Sequence, residues 1–320
     1  MKPSIVCVGE IVIDFISGGE PCGYIGNPGG APANVAVAIS RLGIRSAFCG
    51  KVGDDDFGRL LLRTLREDNV DILGEPFTKD AFTTLTFVTL SPGGERSFSF
   101  ARKPGADMLL TREDIPLASL QSATIVHAGS CSLSGGAARQ ATHYAMEKAS
   151  GFKRMVSFDV NYRAPLWESE ASAREEIHRA LPYVDLLKVS DEEAYLIGGA
   201  ENIPDVMKRY KITAAVLTLG KDGSICHFGG RSFHSDGYAI PALDTTGAGD
   251  AFWACFLMSL LDEKISNTDE ITLETLKNAS SLSNLAGSIC VRKKGAVPSF
   301  PTRAELERAA SEILPQYERK

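Results

Sequence analysis

From residue 124 onward the chain alternates two patterns: a short β-branched or apolar run, then a longer segment with apolar residues at helical spacing. Strand signals fall at 124–128, 155–160, 185–189 and 214–219, with helical signals between and after them at 136–149, 172–181, 192–197 and 204–210. Two long helices, 249–261 and 273–289, and an amphipathic one, 303–314, complete the series. Parallel strands need long crossovers, and helices supply them. The alternation therefore predicts an α/β fold with a mainly parallel sheet covered by helices on both faces. Ligands in such folds bind beyond the carboxyl ends of the strands.

The first hundred residues depart from this rhythm. Residues 5–15 read as a strand interrupted at Gly9-Glu10. Residues 33–42 form a helix stopped by Gly43, and 57–68 a second helix with Leu61, Leu62 and Leu65 on one side. Residues 18–28 are rich in Gly and Pro and read as loop or short exposed strand. Between 82 and 102 the period shortens to two around Pro92-Gly93-Gly94, a hairpin signal. A second hairpin, 224–228 with 232–235, turns at Gly229-Gly230. The two N-terminal exceptions predict a small separate sheet, a lid built from about 17–28 and 82–103, on one domain spanning 1–320.

Composition excludes several classes. With 44% hydrophobic and 23% charged residues the chain has an ordinary globular balance. A net charge of −6 without a long basic run argues against nucleic-acid binding. The apolar run 251–261 is far short of the ~20 residues of a membrane span, and the N-terminus lacks a signal-peptide pattern. The seven cysteines contain no C-x-x-C pair and the five histidines no H-x-x-x-H, so reduced cytoplasmic thiols are expected and a zinc site is not. No P-loop, no G-x-G-x-x-G, no protein-kinase set and no G-x-S-x-G elbow is present.

Two glycine-rich loops, each opening a helix, carry the chemistry. Asp244-Thr245-Thr246-Gly247-Ala248-Gly249-Asp250 precedes an apolar helix. Gly247 and Gly249 let backbone N–H groups approach an anion, and the helix start adds its dipole. Asp250 reads either as a base for a nucleophile attacking phosphorus or as an acidic residue stabilising its own helix. Gly29-Gly30-Ala31-Pro32-Ala33-Asn34 reads either as a polyol site, with Asn34 both donor and acceptor, or as a plain turn.

Taken together, these loops resemble the two signatures of the PfkB, or ribokinase-like, carbohydrate kinases. One runs from Gly29-Gly30 through Asn34 and Ala36 to Gly43 and Gly53, the other from Asp244 through Asp250 to Leu257. Cys255 departs from the usual small residue, at a packing position. The resemblance extends from Cys7-Val8-Gly9-Glu10 to Lys294-Gly295-Ala296-Val297-Pro298. It implies a three-layer ribokinase-like fold and transfer of the ATP γ-phosphate to a sugar hydroxyl.

By the same resemblance Asp250 is the base, and Gly247, Ala248 and Gly249 form the anion hole. Asp14, Gly29, Gly30 and Asn34 hold sugar hydroxyls. Asn161 and Arg163, in Asp159-Val160-Asn161-Tyr162-Arg163, face phosphate and substrate. Lys188, Thr218, Gly220, Gly223, Gly249 and Asn284 are expected on the nucleotide side, with Gly287 nearby. Glu193 organises Mg²⁺ through water, with Ser190 where the family usually has Asn. Asp244, Thr246, Cys290, Lys293, Gly295 and Ser299 fall where relatives often bind K⁺, mostly through backbone oxygens.

The stretch Phe100-Ala101-Arg102-Lys103-Pro104-Gly105-Ala106-Asp107-Met108-Leu109-Leu110 resembles the fructokinase variant, with Arg102 reaching the sugar. The implied reaction is fructose to fructose 6-phosphate. The alternatives are another family sugar kinase, acting on 2-keto-3-deoxygluconate or ribose, and a silent sugar-binding regulator on the same fold. Relatives suggest a homodimer through the lid.

Overall fold

A computed structural model describes residues 2–18, 23–90, 96–238 and 240–314. Among them, nine strands form the central sheet. Their spatial order is Arg231–Ser235, Ser224–Phe228, Ala214–Thr218, Leu186–Ser190, Met155–Asp159, Ile125–Gly129, Ile5–Val8, Ser46–Cys49 and Asp71–Leu73. All neighbours run parallel except the two pairs made by the hairpin at the 231–235 edge.

Alternate residues of each strand feed two separate cores. Ile5 and Cys7 join helices Ala31–Arg41, Asp56–Glu67, Ala248–Asp262 and Leu273–Cys290. Val6 and Val8 join Gly136–Gly151, Glu170–Ala180 and Ile203–Tyr210 on the other face. Burial on both faces explains why these strands read as continuous apolar runs. The expected three-layer α/β fold is present.

The small sheet is also present, with the order Tyr24–Gly29, Val12–Ser17, Leu85–Leu90 and Arg96–Ala101. The hairpin strands pair in the expected antiparallel manner, while their turn at 92–94 lies outside the described residues. One reading needs correction. Residues 5–15 are not one interrupted strand: Ile5–Val8 belongs to the central sheet and Val12–Ser17 to the small one. Gly9 makes the transfer at φ +150°, and a β-carbon there would strike Ser132 Oγ at 2.6 Å and Pro32 Cγ at 2.7 Å. The Gly/Pro-rich stretch holds the short exposed strand that its reading allowed, Tyr24–Gly29, completed by its ladder to Val12–Ser17.

The short strands Ser46–Cys49 and Asp71–Leu73 carry little local signal and exist by pairing at the sheet edge. No helix among the described residues is long and apolar enough to cross a membrane. The six described cysteines are free and buried.

Candidate active site

The carboxyl ends of the central strands and the inner face of the small sheet enclose a cavity of about 300 Å³. Two helices start at its wall. Helix Ala31–Arg41 begins at Gly30, where φ +101° and a β-carbon that would sit 2.6 Å from the Glu10 carbonyl oxygen both require glycine. Helix Ala248–Asp262 begins at Gly247, with φ +81° and no side-chain cap. Both therefore turn positive dipole ends and first-turn N–H groups to one space, although Pro32 has no N–H and Ala248 N donates to the Thr245 carbonyl at 3.3 Å. A β-carbon on Gly247 would meet Ala296 Cα and the Phe300 ring at 2.9 Å. Gly247→Ala is expected to destabilise the protein by about 1–3 kcal/mol, because it adds left-handed strain to that contact. A thermal melt reads the loss, and unchanged melting would contradict this account of the turn.

Asp250 does not cap its own helix. Its Oδ2 accepts a 2.8 Å hydrogen bond from Asn34 Nδ2, joining the starts of the two helices. Asn34 Oδ1 is buried with no hydrogen-bond partner among the described residues. Burial is the main reason the Asp250 carboxyl is pushed up to about 7, and Asp159 adds to it. Lys188, the Asn34 bond and Arg163 act in the opposite direction. Asp14 lines the same cavity and is raised by burial to about 6.

A buried ion pair lies below the second loop. Lys188 Nζ donates to both Asp159 oxygens, at 2.9 and 2.8 Å. Their α-carbons are register partners on adjacent strands. A β-carbon on Gly249 would stand 3.3 Å from Lys188 Nζ, so the ammonium faces the first turn of the helix that carries Asp250. Nearby, Glu193 accepts from the Tyr162 and Ser190 amides at 2.8 and 3.1 Å, with Arg163 Nη1 3.8 Å from its Oε1. Asn161, at φ +34°, turns the backbone between Asp159 and Arg163.

The cavity brings together Asp14, Gly30, Asn34, Arg102, Asn161, Arg163, Lys188, Glu193, Thr218, Thr246, Gly247, Gly249 and Asp250. Arg102 enters bound to Asp107: its Nε and Nη2 donate to Oδ2 at 2.8 and 2.6 Å, and Nη1 donates to Ser134 Oγ at 2.7 Å. Other expected residues stand behind the wall. A β-carbon on Gly29 would overlap Asp14 Oδ2, at 2.0 Å, so this glycine makes room for the carboxylate. Gly223 admits the crossing backbone of Ser235–Gly237, 2.1 Å from where its β-carbon would lie. The Asn284 amide donates to Ser235 O and Oγ, at 2.9 and 3.1 Å. Nothing among the described residues lies within 4 Å of a β-carbon on Gly220, and Gly287 packs on the Ala248 carbonyl.

Beside the anion loop, Asp244 Oδ1 accepts from Thr246 N and Oγ1 at 2.9 and 2.7 Å, while Oδ2 accepts from Gly295 N at 2.9 Å. Cys290 Sγ and Ser299 Oγ are 2.8 Å apart. The Lys293 ammonium instead pairs with Glu305, at 3.5 Å.

Glu10 is a cavity residue that sequence reasoning did not single out. It is buried, hydrogen-bonded to Ser132 Oγ, and raised by burial. The break at Gly9-Glu10 was the available signal. Cys131, Thr84, Val12, Val88 and Leu166 also line the wall and carry no local motif.

The profile of the pfkB family carbohydrate kinases matches residues 2–303. The chain belongs to this family. Among its relatives, fructokinase-1 of Zea mays is 42% identical over 315 residues, covering 94% of this chain and 96% of that protein. Probable fructokinase-2 of Arabidopsis thaliana is 40% identical over 316 residues, covering 95% and 94%. Crystal structures of family members share the ribokinase-like fold described above. The fructokinase of Xylella fastidiosa with bound ATP superposes with a TM-score of 0.91 at 30% identity, covering 98% of this chain and 99% of that one. The Vibrio cholerae O395 fructokinase in its fructose-, ADP- and calcium-bound form gives 0.84 at 32%, covering 95% and 97%.

Proposed function

We propose that this pfkB-family carbohydrate kinase transfers the γ-phosphoryl group of ATP to O6 of D-fructose, with Asp250 as the base. The observation that carries this reading is the placement of Asp250. Its carboxyl is half-buried, held by Asn34, set at a glycine-rich helix start, and faced by Lys188 and Arg163. A fixed carboxylate in an otherwise phosphate-attracting corner suits proton removal better than phosphate affinity. As O6 attacks phosphorus, its proton passes to Asp250 Oδ, the bond from Pγ to the bridging oxygen breaks, and ADP leaves.

The Gly247, Ala248 and Gly249 amides and the helix dipole face the charge of the transferring group. Lys188, Asn161 and Arg163 steady the phosphates, and Thr218, Gly220, Gly223 and Asn284 shape the nucleotide side. Asp14, Gly29, Gly30, Asn34 and Arg102 hold the sugar. The donor set suits Mg²⁺ that travels with ATP: no group of three potential metal-ligating side chains exists among the described residues. Such a cation, when bound with ATP, would neutralise phosphate charge. Glu193 is the residue that would hold it, through water. Asp244, with backbone oxygens of Thr246, Cys290, Lys293, Gly295 and Ser299, offers hard donors for K⁺. The small sheet closes as a lid on the single kinase domain, excluding water, and its outer face is the surface for a homodimer. The reaction belongs in the cytoplasm, with ATP and reduced thiols.

Charge in the cavity favours a neutral sugar. Glu10, Asp14, Glu193 and Asp250 all line it, while Arg102 and Lys188 are already paired with Asp107 and Asp159, and Arg163 lies 3.8 Å from Glu193. A substrate bearing its own carboxylate meets like charge, a penalty of several kcal/mol. In an ADP-release assay with ATP and Mg²⁺, fructose is expected to be the best substrate of a panel including ribose and glucose. The kcat/KM for 2-keto-3-deoxygluconate should be lower by about 100-fold or more. Preference for that acid, or no sugar-dependent ADP release, would refute the reading.

A further inference from the structure

We propose that Asp159 is a positioning residue for the transfer: it holds the Lys188 ammonium against Gly249 and away from the base, touching neither sugar nor ATP itself. This rests on the kinase reading above. Asp159 is 1% exposed and does not line the cavity, whereas Lys188 does. Lys188 Nζ contacts both Asp159 oxygens at 2.9 Å or less, and the register pairing of the two α-carbons sets the backbone beneath that contact.

A second link holds the base in the same frame. Trp253 Nε1, three residues beyond Asp250, donates to Ser157 Oγ at 2.8 Å, and Ser157 lies two residues before Asp159. The helix carrying the base and the strand carrying Asp159 are thereby joined through a buried bond. His127 Nδ1 stands 3.0 Å from the same hydroxyl.

The charged groups around Asp250 are Asp159, Lys188 and Arg163, with the Asn34 amide bonded to its carboxylate; Glu193 acts on Lys188. A buried ammonium without a partner is strongly disfavoured. Once Asp159 is neutral, Lys188 is drawn to Asp250, where it competes with the sugar hydroxyl and stabilises the ionised base. Asp159 prevents that misdirected pair and leaves Lys188 aimed at incoming phosphate.

The test compares Asp159→Asn, Asp159→Glu, Lys188→Met and the double variant Asp159→Leu/Lys188→Met by ADP release, with thermal melts as the check on folding. For Asp159→Asn, kcat should fall roughly 10- to 100-fold and the ATP KM should rise, as expected for a misplaced catalytic group. The fructose KM should stay within about twofold. The acid limb of kcat should move down by roughly one pH unit, because a repelling charge is replaced by an attracting one. Asp159→Glu, which restores the charge, should recover part of the rate and return the acid limb toward the wild-type position.

Where Asp159→Asn does not fold, the double variant removes both buried charges. It should fold and turn over no more slowly than Lys188→Met alone, since Asp159 acts through Lys188. Wild-type kcat and pH profile in folded Asp159→Asn, a loss confined to the fructose KM, or a double variant well below Lys188→Met would overturn the proposal. Failure of the wild-type chain to phosphorylate any sugar would refute the kinase reading instead.

Discussion

Asp250→Asn is expected to lower kcat by about 10²- to 10⁴-fold while fructose and ATP still bind. The amide keeps the shape of the carboxyl but cannot take the proton from the attacking hydroxyl. Steady-state kinetics with an ADP-release assay reads the rate, and calorimetry reads the binding. In the wild type the acid limb of kcat should lie near pH 7, because desolvation raises this carboxyl to about 7 and it must be ionised to act. The same shift fixes the sign of a stability effect. A carboxyl whose folded-state value lies above its unfolded one loses stability as pH rises through that range. Asp250→Asn should therefore melt higher than wild type at pH 8, with the gain shrinking as pH falls toward 4. A variant with near wild-type kcat would remove Asp250 from the mechanism. A variant that loses turnover only because it has unfolded would show the opposite melting shift.

The second large effect falls on stability. Arg102 is 6% and Asp107 3% exposed, and their contact lies where the small sheet rejoins the core. Asp107 also accepts from the Thr84 hydroxyl. Asp107→Ala leaves a buried guanidinium without its carboxylate and is expected to destabilise the fold by about 3–5 kcal/mol. At ~2–4 °C per kcal/mol for a large domain, that is a melting decrease on the order of 10 °C. The fructose KM should rise with it, since Arg102 faces the cavity. Replacing both residues by leucine removes the uncompensated charge and should recover most of the melting temperature without restoring the fructose KM. A melt of Asp107→Ala within about 1 °C of wild type would show that the pair contributes little.

Much of the central fold was legible because its signals are local. The run at Ile125–Gly129 and the helix Gly136–Gly151 each declare their period within a few residues. The helix starts at Gly30 and Gly247 were marked by the glycines they require. The transfer of the chain between sheets at Gly9 was less legible, because residues on both sides of the break favour strand and nothing local says that two sheets are involved. Ser46–Cys49 was missed because pairing with Ile5–Val8, not its own composition, makes it a strand.

The candidate site divides in the same way. Asp250, Asn34 and Lys188 stand in readable loops or at strand ends. That Asn34 bonds Asp250 across 216 positions, and that Asp159 and Lys188 meet across neighbouring strands, are properties of register and packing. Glu10 joins the cavity only because Gly9 bends the chain toward it.

The most direct measurement is the identity of the product. The wild-type protein would be incubated with ATP, Mg²⁺ and ¹³C-labelled D-fructose, and the product followed by ³¹P and ¹³C NMR. The expected result is one sugar phosphate, with phosphorus coupled to C6, formed in step with ADP and absent when Asp250→Asn is used over the same interval. Phosphorylation at another carbon, hydrolysis of ATP without a sugar phosphate, or equal product from Asp250→Asn would contradict the account.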